Sequence, residues 1–231
     1  MAKKTIGISL GFNCHPAIYG VENNIRARKT DGYLTCPFDE CNSYFGGVIE
    51  CIKDDFKDFF NPKYLQLLEI PFDYTIIYIN SINKWDIYDS NNPEHIGEHY
   101  CGGFKTGEKI IYNTKYKMMF IHESPDHANL HIIQNWPGGK NHFVNNDFAL
   151  FKERYKRRIN NFMTYLSSNN KINFIVSRYS QDMSILDTIL KNKYPTLEYN
   201  ITILEPNFVK TALYDHYKLM LVEEKDIINE L

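Results

Sequence analysis

The last third of the chain constrains the fold most. Residues 148–166 place Phe148, Phe151, Tyr155, Ile159, Phe162 and Leu166 on one helical face, with Lys152, Arg154, Lys156 and Arg157 largely on the others. That is an amphipathic helix laid on a core. Residues 171–177 predict a strand, 183–193 a helix and 199–204 another strand, the strands rich in Ile, Phe, Val and Thr. Helix, strand, helix, strand is the grammar of βα units, because parallel strands need a long crossover between them. We expect an α/β fold, layered, with a largely parallel sheet, flanking helices and long surface loops, in a single domain over 1–231.

The same grammar opens the chain. Thr5-Ile6-Gly7-Ile8-Ser9-Leu10 is a short apolar run bounded by Gly11, and Cys14-His15-Pro16-Ala17 can start a helix because proline is tolerated in a first turn. That helix runs weakly to Asn23-Asn24. Cys14 therefore sits where a strand hands over to a helix, whose unpaired N–H groups favour a thiolate. A lone cysteine is more often a small buried apolar side chain, so its partners decide its role.

Between these ends, residues 45–60 have helical periodicity and 74–80 the composition of a strand. Residues 81–106 are polar and aperiodic and read as a surface excursion. Residues 109–112 and 115–121 predict a hairpin around Asn113-Thr114, with His122 at its end. Pro125 and residues 136–140 mark a second long loop, and 215–221 a short closing helix.

Composition excludes several classes. A net charge of -2 gives no electrostatic case for nucleic acid or an anionic membrane. No run approaches membrane-spanning length, and the start lacks the apolar region of a signal peptide. Five cysteines, an odd number in a chain too large to need disulfide staples, favour free thiols in a reducing compartment. We expect a cytoplasmic protein with no cofactor.

Ser9-Leu10-Gly11-x-x-Cys14, Ala17, Arg26 and Pro37-Phe38-Asp39, followed by Phe120-Ile121-His122 and Arg157-Arg158-Ile159, resemble a domain-of-unknown-function family described as papain-like cysteine peptidases. Members usually continue Pro-Phe-Asp with Trp, where this chain has Glu40. The resemblance implies a thiol hydrolase or acyltransferase and brings a papain-like α+β fold in as the alternative architecture.

A cysteine nucleophile needs a base and a group that orients it. His122 is the candidate base; His15, adjacent to Cys14, points elsewhere on a helical turn. For orientation the candidates are Asp39, which the resemblance favours, and Asp126. Asn13 and the Cys14 N–H are candidate oxyanion donors. Arg26 and Arg158 are candidate substrate-binding cations. The substrate is a small molecule, peptide or glycan of unknown identity, and the oligomeric state is not legible.

Two other readings stand beside this one. The first is a non-catalytic binding protein with an arginine-lined pocket for an anionic or glycan ligand. The second is a zinc hydrolase using His95, His99 and Cys101 with His122, His127 and His131. Against zinc, Cys36 and Cys41 lack a second pair, and His122-Glu123 runs into Pro125 rather than a His-Glu-x-x-His helix. Our reading has no resident metal.

Overall fold

The computed structural model describes residues 4–11, 14–43, 45–70, 74–79, 84–87, 91, 93, 99–125, 127–177 and 183–204. They fall into two compact units, one drawn from Met1–Leu68 and Lys109–Leu204, the other from Glu69–Glu108. The chain begins with β1 (Thr5–Ser9), α1 (His15–Glu22), β2 (Asn42–Ser43), α2 (Phe45–Lys53) and β3 (Leu65–Glu69). The second unit follows with β4 (Tyr74–Ile79), β5 (Lys84–Ile87) and β6 (His99–Phe104). The chain then returns through β7 (Lys109–Asn113), β8 (Met118–Met119), α3 (Leu130–Ile133), α4 (Asn145–Leu166), β9 (Lys171–Ser177), α5 (Ser184–Lys193) and β10 (Tyr199–Leu204). The fold is mixed α/β.

The strands expected at the two ends of the sequence form one parallel sheet, in the order β1-β9-β10. Ile8 pairs with Phe174 and Ser9 with Ile175, while Ile201 lies against Phe174 from the other side. Ile172, Phe174, Ile175 and Val176 are all buried, as expected for a central parallel strand covered on both faces. The first unit also holds an antiparallel sheet, β2-β8-β7-β3. Its β7–β8 pair is the expected hairpin, with Tyr112 opposite Met119 and Asn113 opposite Met118.

Several boundaries differ from the sequence reading for physical reasons. Helical periodicity predicts 45–60, yet α2 stops at Lys53 and the chain turns left-handed at Asp55 and Phe56. Long-range contacts override periodicity there: Lys115 Nζ grips Asp54 at 2.8 Å and Asp58 at 2.6 Å, and the Tyr116 hydroxyl donates to Asp54 at 2.7 Å. The polar stretch 81–106 carries β5 and β6, which flank β4 in an antiparallel sheet. The loop after Pro125 carries α3. The expected helix 215–221 lies outside the described residues.

Among the described residues no helix is long and apolar enough to cross a membrane.

Candidate active site

Cys14 is placed by backbone geometry. The Leu10 N–H donates to Ile175 O at 3.0 Å, extending the β1–β9 ladder one residue past the strand. Gly11 then takes a φ of +85°, and a Cβ there would run into Ser43 Oγ. Only glycine meets both demands without strain. Cys14 caps α1 in helical conformation, its carbonyl accepting the Ile18 N–H at 3.0 Å. Its thiol is half-buried beyond the carboxyl end of a parallel strand, the usual side for ligands in such sheets. Burial lifts the thiol above its ordinary pKa and the charge of Glu40 adds to this, while its own backbone N–H pulls the other way. The helix start therefore does not make Cys14 a resting thiolate.

His122 lies on a single tight turn, Ile121–Glu123, directly after β8. Ser124 pins this turn to the sheet: its hydroxyl donates to Phe120 O at 2.7 Å and accepts the Ile111 N–H at 2.8 Å. Beneath it, Phe120 sits edge-on to Phe151 and Tyr155 of α4, each at 4.8 Å between ring centroids. Such pairs add about 0.5–1.5 kcal/mol each beyond their area. Hydrophobic packing thus fixes the backbone that carries the imidazole.

The loop 33–41 forms a further side and is bound to α4. Tyr165 Oη accepts the Leu34 N–H at 2.7 Å, and Asn161 donates to Thr35 O at 3.0 Å. Asp39 is fully enclosed, accepting from Arg26 at 2.7 Å, from the Cys36 N–H at 2.7 Å and from the Tyr33 hydroxyl at 3.4 Å. Burial holds its carboxyl above the ordinary value although Arg26 and the Cys36 N–H oppose this. Arg26 lies 4.0 Å over the Tyr33 ring, its buried Nε without a partner among the described residues.

Glu40 joins the loop to a chain of charges. It pairs with Lys29 and Arg158. Arg158 also approaches Glu123 at 3.3 Å and donates to the Tyr155 hydroxyl at 2.9 Å. Glu123, wholly buried, accepts from Arg154 at 2.9 Å and Tyr155 at 3.2 Å. Although burial works against the charged form, Arg158 and Lys29 hold the Glu40 carboxyl down at about 2.

These elements enclose a recess of about 1230 Å³ that Cys14, Arg26, Asp39, His122 and Arg158 all line. Five of the six site residues read from the sequence thus meet in one place. Asn13 lies outside the described residues, as does Asp126, and the side chain of His15 is not described. Asp39 is engaged by Arg26 and its own loop, and Glu40 is a second carboxylate that lines the recess with His122. Sequence reasoning missed Glu40, Glu123 and Lys29 as parts of the site. The signal for Glu40 was present, since it stands where the resemblance has Trp, and Glu123 directly follows the candidate base.

For the zinc reading, His95 and the side chains of His99 and Cys101 lie outside the description. Among the described residues, no three His, Cys, Asp or Glu side chains are grouped to hold a metal ion.

A family model described as "Putative papain-like cysteine peptidase (DUF1796)" matches residues 5–205, nearly the whole chain. No curated protein and no solved structure matches significantly.

Proposed function

Since the chain belongs to this papain-like cysteine peptidase family, we propose that it is a thiol hydrolase or acyltransferase in which Cys14 is the nucleophile and His122 the base. The observation that carries the reading is that both side chains line one recess. Burial favours the neutral Cys14 thiol, so in this scheme His122 takes the Sγ proton as sulfur attacks the acyl carbon. The imidazolium returns that proton to the leaving amine, alcohol or thiol as its bond to the acyl carbon breaks, leaving a thioester. Water or another acceptor then attacks, giving its proton to His122, and the C–S bond breaks with the proton passing back to sulfur. Glu40 opposes the imidazolium's transient charge, while Asp39 orders the loop through Arg26. The N–H of Cys14 and the side chain of Asn13 are the oxyanion donors of this scheme.

Activated esters and thioesters, followed by intact-mass measurement, test it. Wild type should carry an acyl group on Cys14 that turns over. Cys14→Ala should carry none, and His122→Ala should acylate about 10²–10⁴-fold more slowly. Equal acylation with and without His122 would reject the catalytic pair. It would favour the non-catalytic binding reading, which the arginines of the recess support.

A further inference from the structure

The recess is far more cationic than the protein around it. Six cations line it, Arg26, Arg28, Lys29, Arg154, Arg157 and Arg158, against three carboxylates, Glu22, Asp39 and Glu40, in a chain of net charge -2. Four of the six already have internal partners: Arg26 in Asp39, Lys29 and Arg158 in Glu40, and Arg154 in Glu123. Arg28 and Arg157 are exposed and have no side-chain partner among the described residues. Guanidinium groups left open on the wall of a cavity are suited to bidentate capture of a carboxylate or phosphate.

The recess also has an apolar lining. Ala17, Ile18 and Val21 of α1 line it with Cys14, and so does Leu34. Ile18 and Leu34 are 48% and 46% exposed, so this surface is open to a ligand. A lining that is cationic in part and apolar in part selects for a molecule with both characters.

We propose that the substrate is an anionic acyl compound, its apolar acyl portion lying along α1 and its carboxylate or phosphate held by Arg28 and Arg157. This deepens the reading of the same site and rests on Cys14 being its reacting group. The two arginines are binding residues. They come from the segment after α1 and from α4, which the Glu40 pairings with Lys29 and Arg158 help to tie together.

Alkylation of Cys14 by iodoacetate and by neutral iodoacetamide tests the charge preference without a known substrate. Calibrated against a small-molecule thiol at low salt, the iodoacetate-to-iodoacetamide rate ratio at Cys14 should be raised about tenfold, as local enrichment of anions predicts. It should fall with added salt and collapse in Arg28→Gln/Arg157→Gln. A ratio equal to that of the free thiol, or one unchanged in the double variant, overturns the proposal. Inorganic phosphate and hexanoate, each tested as protectants, separate the two anion classes, and protection by neither also overturns it. If Cys14 resists both reagents, the nucleophile reading fails by itself. The anion site is then judged by the melting temperature, which must rise with phosphate or hexanoate in wild type and not in the double variant.

Discussion

The two sides of the recess are built by different physics. The Cys14 side is set by backbone: a strand in a parallel ladder, one left-handed glycine and a helix start. The α4 side is set by side chains, with Lys29, Glu40, Arg158, Glu123 and Arg154 joined in series across more than a hundred residues of sequence. A ladder tolerates many side chains but few backbone changes. A buried charge chain has the opposite sensitivity, because removing one member leaves others desolvated without compensation.

The largest expected effect therefore lies on the α4 side. Arg158→Met should cost about 3–4 kcal/mol in urea unfolding, since it deprives the buried Glu123 and the half-covered Glu40 together. Adding Glu123→Gln should recover part of that loss. A near-neutral single variant would mean that packing, not charge, holds this wall. Next in size, Gly11→Ala should cost about 2–3 kcal/mol, from the left-handed φ plus the collision with Ser43. Gly11→Ala/Ser43→Ala should relieve only the steric share. If it restored full stability, the backbone would not be the constraint on the Cys14 side.

The smallest effect joins the two walls. Glu40 has its folded pKa at about 2, below the ordinary value of 4.5. Its stabilisation is therefore complete above about pH 4.5 and is lost as pH falls toward 2. That shift is worth up to about 3 kcal/mol, and since Glu40 is partly open to solvent, wild type should lose on the order of 1–2 kcal/mol across that window that Glu40→Gln does not. The same variant should move the pH profile of Cys14 alkylation to lower pH, because Glu40 is one of the charges that lift the thiol. An unmoved profile would separate the walls electrostatically.

The contrast also explains what was legible in advance. Strands 171–177 and 199–204 and the strand-to-helix placement of Cys14 follow from local periodicity, β-branched composition and one glycine, all of which act within a few residues. Arg158 looks in sequence like one cation of a helix face, yet it is buried beneath Glu40, 118 positions away. Nothing local marks that pairing. Asp39 was legible as part of the site, but its engagement with Arg26 depends on how a loop folds over Tyr33, which no periodicity encodes. The early end of α2 has the same cause, a lysine supplied from residue 115.

The parallel ladder has a consequence for the order of assembly. β1 is synthesised well before its neighbour in the sheet, β9, which begins at Lys171. At typical elongation rates of about 5–20 residues per second, the strand that supports Cys14 waits roughly ten to thirty seconds for the segment it pairs with. Closing so long a loop is slow as well. A nascent chain thus carries the Cys14 segment without its recess until β9 has been made, and the recess takes shape only once that later segment pairs with β1.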